Sequence, residues 1–498
     1  MSEQLPEFVA AIDLGSNSFH MIVCRLKDGK LQTVDRLKEM VRLASGLDKR
    51  NNLNAETQQR ALNCLERFGQ RIRSFPPNTV RIVGTNTLRT AKNARQFISK
   101  AEIALGHPIH IIAGIEEARL IYQGVIHSLS SNANLRFVMD IGGGSTEYII
   151  GSGDEPKIKE SLNMGCVSIS NCYFKKGKIS PELFNAALIF AEQELEPLQI
   201  DFNAKRWDEA IGASGSLRAI HKVLQATGWS NNGITHSGLN KLVNHILQCK
   251  HYNDLKLPDL DEERLPVFVG GVVIVYATFK ILNIKQMTVS DGALREGLIH
   301  DLLGRIYHSD IRSDTVQILT ERYQTDTQHA ARLKHCIQYI LRQITLFREE
   351  HQESVTQFMD WAAALHEIGR DIAHNRYHKH SAYIIKNADL AGFSTQDQML
   401  LASIVKWHRR KFSLDDFEQL PAPWDKYAPY MCIILRLAIV MHRNRHDIEL
   451  PKFKISILGT QLELKFPDGW LDDAPLTAAD LKFEAEYLKN CNFKLKFS

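Results

Sequence analysis

The stretch Phe8-Val-Ala-Ala-Ile-Asp-Leu-Gly-Ser-Asn-Ser18 decides the fold, because an apolar run leads directly into a turn rich in glycine and polar side chains. The same arrangement returns where Phe137-Val-Met139 precedes Asp140-Ile-Gly-Gly-Gly-Ser145. Glycine lets the backbone turn sharply and bring N–H groups to face a phosphate, and Ser, Thr and Asn side chains add donors. The repeat therefore predicts two phosphate-binding loops, loop 1 (Gly15, Ser16, Asn17 and Ser18) and loop 2 (Gly142, Gly143, Gly144, Ser145 and Thr146).

An aspartate stands at the end of each of the two strands, and these carboxylates predict a metal ion. Neither Asp13 nor Asp140 can bind a phosphate directly, because both groups are anions. A cation between them removes the repulsion, so we expect Mg²⁺ as cofactor. Asp140 and Glu147 are the predicted ligands, directly or through water, and Asp13 is the weaker candidate. The alternative for Glu147 is an outward-facing strand residue, since residues 148–150 continue a strand.

The pattern of apolar residues changes along the chain. Strand-like runs such as Val80–Val83 alternate with helical patterns through about the first 300 residues, which is typical of α/β layers. Amphipathic helices dominate from Arg312 to about Arg445, and apolar residues then alternate with polar ones around a turn at Gly459-Thr460. We predict domains at 1–125, 126–304, 305–445 and 446–498.

The overall composition excludes several classes of protein. An apolar fraction of 44% and a charged fraction of 24% rule out disordered and rod-like chains, and a net charge of +4 argues against a nucleic-acid partner. The longest apolar run, Val267–Phe279, is shorter than the about 20 residues that span a membrane. With no secretory signal and eight scattered cysteines, we expect a cytoplasmic protein, or one peripheral at the inner membrane.

Six blocks in order resemble the exopolyphosphatase/guanosine pentaphosphate phosphohydrolase family, and the similarity continues through His366-Glu-Ile-Gly369 and His378–Ala382. This resemblance implies two actin/hexokinase-like (ribonuclease H-like) α/β domains with a cleft, then an all-helical degenerate HD-like domain and a small α+β tail. It also implies a homodimer. The blocks are Asp13–His20, Gly84–Arg89, Gly114–Arg119, Asp140–Glu147, Gly212–Gly215 and Ser290–Gly297.

The resemblance places the catalytic base on Glu117, the second glutamate of Gly114-Ile-Glu-Glu117. A carboxylate within reach of a water molecule can orient and deprotonate it for attack on phosphorus. The alternative is a solvated glutamate in the first turn of a helix, which we expect for Glu116 as a dipole-stabilising or surface carboxylate.

Three further residues are phosphate-binding candidates. Arg89 offers a planar guanidinium, with a surface ion pair as the alternative. Ser214 and Gly215 precede a helix, whose N–H groups can bind another phosphate. A plain N-cap of that helix is the alternative, and the sequence supports it almost as well. We expect the Ser290–Gly297 block mainly to pack domains together, with proximity to phosphate as the minority interpretation.

The helical domain offers two hypotheses. His366-Glu367 resembles the His-Asp pair of metal phosphohydrolases, but Glu replaces Asp and only His335 is apparent as a flanking ligand, so we expect no metal there. The stretch from His366 to Lys411 is locally basic, which predicts either a solvated face or a track for a polyanion. The track residues would be Lys379, Lys406, Arg409, Arg410 and Lys411.

The predicted function is Mg²⁺-dependent hydrolytic release of terminal orthophosphate from inorganic polyphosphate. The alternative is hydrolysis of guanosine pentaphosphate on the same site. Gly144 stands where the pentaphosphatase type carries Ala, and this resemblance favours polyphosphate. A sugar kinase and a non-catalytic phosphate-chain sensor are the remaining alternatives.

Overall fold

The computed structural model describes residues 6–27, 30–129, 133–307, 310–447 and 449–498. The chain divides into two compact units, which we call the N-terminal unit (Met1–Asp310) and the C-terminal unit (Ile311–Ser498).

The N-terminal unit begins with a five-stranded mixed sheet of order β3-β2-β1-β4-β5. The β1–β2 and β2–β3 pairs are antiparallel, whereas β4 and β5 continue the sheet in parallel. Its elements are β1 (Phe8–Leu14), β2 (Phe19–Lys27), β3 (Lys30–Glu39), α1 (Ala55–Ile72), β4 (Val80–Gly84), α2 (Asn86–Thr90), α3 (Ala94–Leu105), β5 (His110–Ile111) and α4 (Gly114–Ile126).

A second sheet, of order β10-β11-β9-β6-β7-β8, repeats this pattern. A meander of three antiparallel strands again continues into parallel neighbours, here β9 and β11. Its elements are β6 (Arg136–Ile141), β7 (Thr146–Ser152), β8 (Glu155–Leu162), α5 (Cys166–Tyr173), α6 (Pro181–Leu195), β9 (Glu209–Ala213), α7 (Ser214–Ala226), β10 (Ile234–Thr235), α8 (His236–Leu247), α9 (Leu265–Ile281), β11 (Gln286–Val289) and α10 (Leu294–Ile306).

The central strands are apolar throughout because helices cover both of their faces. In β1, Ala10 and Ile12 face the core formed with α1 and α3, while Val9 and Ala11 face the core shared with α4 and α10. In β6, Val138 joins that shared core from the second sheet. Burial on two faces explains why the sequence shows continuous apolar runs instead of alternation.

Helix α9 contains the longest apolar run of the sequence. Together with the turn before it, Glu262–Ile281 is the one helix in the described part of the chain that is long and apolar enough to cross a membrane. Most of it is nevertheless buried in the core of the second sheet, through residues such as Val272 and Ile274. A buried core helix accounts for this run.

The C-terminal unit is helical and ends in a small sheet of order β12-β13-β14. One hydrophobic core joins the helices to this sheet, with Ile337 and Ile434 from the helices and Leu464 and Leu495 from the strands. Its elements are α11 (Ile311–Arg322), α12 (Thr327–Leu341), α13 (Glu349–Leu365), α14 (Tyr377–Asn387), α15 (Thr395–Lys406), α16 (Trp424–Met441), β12 (Lys454–Leu458), β13 (Gln461–Lys465), α17 (Trp470–Asp473), α18 (Pro475–Lys489) and β14 (Lys494–Phe497).

Candidate active site

The two predicted phosphate loops face each other across a cleft of about 230 Å³. Loop 1 joins β1 to β2 and loop 2 joins β6 to β7, so both are the hairpin turns of equivalent strand pairs. They approach so closely that a Cβ atom on Gly143 would lie 2.9 Å from Ser16 Cβ. Glycine is therefore required at this position for the loops to meet.

Most predicted site residues line this cleft. Thr146 does not: it is buried, and its hydroxyl donates to the carbonyl of Met164 at 2.6 Å, which is a structural role. Arg89 and Glu147 lie behind the cleft wall, and each contacts other site groups. The predicted residues that line the cleft are Asp13, Gly15, Ser16, Asn17, Ser18, Glu117, Asp140, Gly142, Gly143, Gly144, Ser145, Ser214 and Gly215.

Four carboxyl groups lie around the cleft: Glu117, Asp140 and Glu147 are buried, and Asp13 is partly buried. Asp140 and Glu147 are directly opposite each other in the β6–β7 pair. Glu147 is fully buried and faces inward, so the outward-facing alternative is wrong; its Oε1 accepts from the Ser161 hydroxyl at 2.9 Å. Three carboxylate oxygens, Asp13 Oδ1, Glu117 Oε2 and Glu147 Oε2, are buried without a hydrogen-bond partner. Burying such an oxygen costs free energy of folding unless a cation or a ligand binds it.

Burial raises the pKa of every member of this cluster. The pKa of Asp13 rises to about 8, because of burial first and the nearby Glu117 second. Burial also raises the pKa of Glu117 to about 7 against the opposing effect of Arg89, and raises that of Asp140 to about 6. The pKa of Glu147 lies well above its ordinary value, through burial and then through Glu117. If all four groups were ionised, the cluster would therefore hold more negative charge than its surroundings compensate.

The donor set fits Mg²⁺. In the described part of the chain, no three His, Cys, Asp or Glu side chains form a ready cage for a metal. Mg²⁺ does not need one, since it binds through one or two carboxylates and completes its shell with water and substrate phosphates. Asp140 and Asp13, at the ends of equivalent strands, are placed for that arrangement.

Adjacent glutamates of α4 have different environments. Glu117 lines the cleft, and its Oε2 lies 3.5 Å from Arg89 Nη1, which also donates to the carbonyl of Ile112 at 2.6 Å. Glu116 is not the predicted surface carboxylate: it is buried and accepts two 2.8 Å hydrogen bonds from Arg119. Glu117 is therefore the glutamate available to a substrate, and Arg89 holds it in place.

Four cations that the sequence analysis did not select also line the cleft: Lys38, Arg218, Arg264 and Arg295. Arg264 lies against the first turn of α7, where any side chain at Gly215 would overlap its guanidinium. Arg295 belongs to the Ser290–Gly297 block and Arg218 to α7, so motif position could have indicated these two. Lys38 and Arg264 carry no local sequence signal.

A chain of hydrogen bonds connects Arg295 to loop 1 through His20. Arg295 Nη1 lies 3.2 Å from His20 Nδ1, and His20 Nε2 lies 2.7 Å from Ser18 Oγ. Burial, then Arg295, lowers the pKa of His20 to about 3, so the ring is neutral. Because Arg295 can only donate, Nδ1 accepts and Nε2–H donates to Ser18. The Ser18 hydroxyl proton is thereby left free for a phosphate oxygen.

Comparisons with known proteins show which family the chain belongs to. The model of the Ppx/GppA phosphatase family matches residues 22–306, and that of Ppx/GppA phosphatase domain III matches residues 311–485. The chain belongs to the Ppx/GppA phosphatase family. It is a phosphohydrolase of that family, and its N-terminal unit has the actin-like fold of two mixed sheets that the resemblance implies.

Relatives within the Ppx/GppA family include two proteins named guanosine-5'-triphosphate,3'-diphosphate pyrophosphatase. The one from Aeromonas hydrophila is 39% identical over 477 residues, covering 96% of this chain and 96% of the relative. The one from Vibrio vulnificus is also 39% identical, over 96% of this chain and 95% of the relative. A Cytophaga hutchinsonii structure, titled an exopolyphosphatase, aligns with a TM-score of 0.55 at 22% identity, covering 60% of this chain and 98% of that one.

The Ser290–Gly297 block of this Ppx/GppA chain both packs and lines the site. The Ser290 hydroxyl lies 3.0 Å from that of Ser128, and side chains at Gly292 or Gly297 would overlap the backbone of α4. The same block supplies Arg295 to the cleft. Packing and phosphate proximity are therefore properties of different residues in one segment.

In domain III, His366 has a different neighbour from the one predicted. The ring of His329 lies 5.9 Å from that of His366. His329 and His335 are six positions apart on α12, which places them on different faces of the helix. Glu367 is held by Arg445 and by Arg370, the latter at 2.6 Å.

The five predicted track residues do not form one set in domain III. Lys406 pairs with Asp416 at 2.6 Å, and Lys379 and Lys411 are exposed. Arg409 and Arg410 line a cavity. The polyphosphate track stays a prediction.

Proposed function

We propose that this protein hydrolyses the terminal phosphoanhydride bond of guanosine pentaphosphate, a guanosine 5'-triphosphate that carries a 3'-diphosphate, and releases orthophosphate. The observation that carries this proposal is the position of Glu117, a buried carboxylate that lines the same cleft as the two phosphate loops and is paired with Arg89 at 3.5 Å. The relatives named guanosine-5'-triphosphate,3'-diphosphate pyrophosphatase favour this nucleotide over polyphosphate.

In this mechanism the chain binds phosphates and moves one proton. The loops and the Ser18 hydroxyl donate to phosphate oxygens, and the wall cations compensate the charge of the remaining phosphates. Glu117 orients a water molecule in line with the terminal phosphorus and accepts its proton as the bridging oxygen leaves with the nucleotide. A pKa of about 7 suits Glu117 to accept a proton near neutral pH.

We propose that Mg²⁺ is held by Asp140 and Asp13, with Glu147 behind them. When bound, it supplies positive charge to the phosphate oxygens and lets the acidic cluster and the substrate share one cleft. Arg89 fixes the Glu117 carboxylate, because its guanidinium pairs with Glu117 Oε2 at 3.5 Å while it donates to the carbonyl of Ile112.

Inorganic polyphosphate is the second candidate substrate, and Gly144 is the observation that favours it. A Cβ atom at this position would press on the Asn86 side chain, which lines the same cleft. Alanine here would therefore narrow the cleft beside loop 2.

The test is a side-by-side assay of the purified full-length protein. We expect a kcat/KM for guanosine pentaphosphate at least about tenfold above that for long-chain polyphosphate at equal Mg²⁺. A higher kcat/KM for polyphosphate would contradict the proposal and make polyphosphate the substrate. Phosphate transfer to a sugar, or binding without turnover, would instead establish the kinase or the sensor.

A further inference from the structure

A second cavity, of about 580 Å³, lies within the C-terminal unit and takes no part in the proposed chemistry. Three carboxylates, Glu367, Asp480 and Glu484, contribute to its wall. Arginine is the predominant side chain of that wall. The arginines are Arg370, Arg409, Arg410, Arg436, Arg443 and Arg445.

Four of these arginines are already neutralised. Arg370 and Arg445 hold Glu367, and Arg445 also contacts Asp326 at 3.2 Å. Arg443 pairs with Asp480, and the fully buried Arg436 pairs with Glu484. These pairs build the wall and leave little charge for a ligand.

Arg409 and Arg410 are different. Among the described residues, no carboxylate lies within ion-pair distance of either guanidinium; Arg409 instead lies over the ring of Tyr377, 4.7 Å from its centroid. Arg410 has φ of 60°, in the left-handed region that disfavours most residues. Its carbonyl accepts from Arg436 Nη2 at 2.7 Å, which fixes this conformation. The fold thus places two uncompensated cations side by side at the cavity.

The cavity wall also contains a buried histidine. His408 is 2% exposed, and its Nδ1 donates to the Val405 carbonyl at 2.6 Å. Burial and the nearby His366 hold the pKa of His408 well below its ordinary value, so the ring is neutral and Nε2 carries a lone pair. His408 Nε2 is buried without a partner. Because this atom has no exposed surface, His408 is a neutral part of the cavity wall and adds no charge to that of the two arginines.

An aromatic side chain stands at the rim. Phe483 lines the cavity and is 63% exposed, which is unusual for so large an apolar side chain. A planar ring stacked on Phe483 would cover this surface.

We propose that the domain III cavity binds a nucleotide, with its phosphates on Arg409 and Arg410 and its base against Phe483. A nucleotide combines phosphate oxygens for the two guanidiniums with a flat ring for Phe483. A cavity of about 580 Å³ is within the range that small organic ligands occupy. A bare polyphosphate chain has no ring. This site is distinct from the cleft and does not depend on the cleft's activity.

The experiment is calorimetric titration of GDP into the full-length chain carrying Glu117→Gln together with Arg218→Gln and Arg264→Gln, which weaken binding in the cleft. We expect one site, weakened about tenfold by Arg409→Gln/Arg410→Gln. The matched control is Lys454→Gln/Lys465→Gln, which removes two exposed charges from the same unit and should leave binding unchanged.

Inorganic pyrophosphate and Phe483→Ala distinguish a nucleotide from a phosphate chain. We expect Phe483→Ala to weaken the binding of GDP several-fold. The binding of pyrophosphate, the weaker ligand, should be unaffected. Equal binding of pyrophosphate and GDP would overturn the nucleotide assignment. If the Arg409→Gln/Arg410→Gln variant bound GDP as tightly as its parent protein, the proposed site would be wrong. Loss of cleft hydrolysis has no effect on these outcomes, so the two proposals fail separately.

Discussion

The acidic cluster of the cleft differs from the buried Glu367 and Glu484 of the C-terminal unit, which are both paired with arginines. Glu367 is held by two arginines, and Glu484 by the fully buried Arg436. In the cleft of the N-terminal unit, Asp13 Oδ1 and Glu117 Oε2 are buried without hydrogen-bond partners. Buried carboxylates of the first kind maintain the fold, whereas those of the second kind require something that the chain does not supply.

The largest expected effect follows from removing the base of the cleft. Glu117→Gln keeps the shape of the side chain but cannot accept a proton from water, so turnover should fall about 10²–10⁴-fold with little change in substrate binding. Steady-state phosphate release measures this. Glu116→Gln is the matched control on the same helix and should keep turnover within a few-fold, since Glu116 contacts Arg119 instead of the cleft. Turnover above a tenth of wild type in the Glu117 variant would remove the base assignment.

Asp140→Asn should raise the Mg²⁺ concentration needed for half-maximal rate about 10–100-fold, because it removes a charged ligand from the cluster. A Mg²⁺ titration after treatment with chelator measures this value. Full activity in excess chelator would contradict a metal-dependent site.

Stability should distinguish the two kinds of buried acid. Glu484→Gln leaves the Arg436 charge buried and unpaired, and should lower the free energy of unfolding by about 3 kcal/mol. Asp13→Asn removes an unpartnered group and should leave stability unchanged or raise it at pH 8. Urea unfolding followed by tryptophan fluorescence compares the variants. Equal destabilisation by both substitutions would mean that the two clusters are alike.

The smallest effect concerns the link between Arg295 and Ser18. His20→Leu should lower kcat/KM about fivefold, since a hydrogen bond is worth about 1 kcal/mol. His20→Gln has one acceptor and one donor and should restore most of the loss. If Gln and Leu behave alike, His20 only fills space.

The sequence predicted what depends on local backbone chemistry. Both loops and Glu117 lie in the cleft because each belongs to a contiguous motif at a strand or helix end. Thr146 does not line the cleft, since its place in β7 directs the hydroxyl to the carbonyl of Met164. Lys38 and Arg264 were missed because only the folded sheets bring such distant residues together. The contact between His329 and His366 was missed because the motif spacing alone does not show which face of α12 packs against His366.

The sign of the pH dependence follows from the raised pKa values. The folded cleft holds protons that free carboxyl groups lose near pH 4, so stability without a cation falls as pH rises from about 4 to the pKa of Asp13, about 8. A bound divalent cation needs ionised carboxylates and must release those protons. Mg²⁺ affinity should therefore increase between pH 6 and pH 8.

Proton release on Mg²⁺ binding is the most direct test of a cleft built for a divalent cation. Calorimetric titration of the substrate-free protein with Mg²⁺ at pH 7, in two buffers that differ in ionisation enthalpy, measures it. We predict release of about one proton per Mg²⁺, since Asp13 is mostly protonated and Glu117 about half protonated at this pH. Asp140→Asn should weaken Mg²⁺ binding in this titration about 10–100-fold. Identical heats in the two buffers, or no binding at all, would contradict the account.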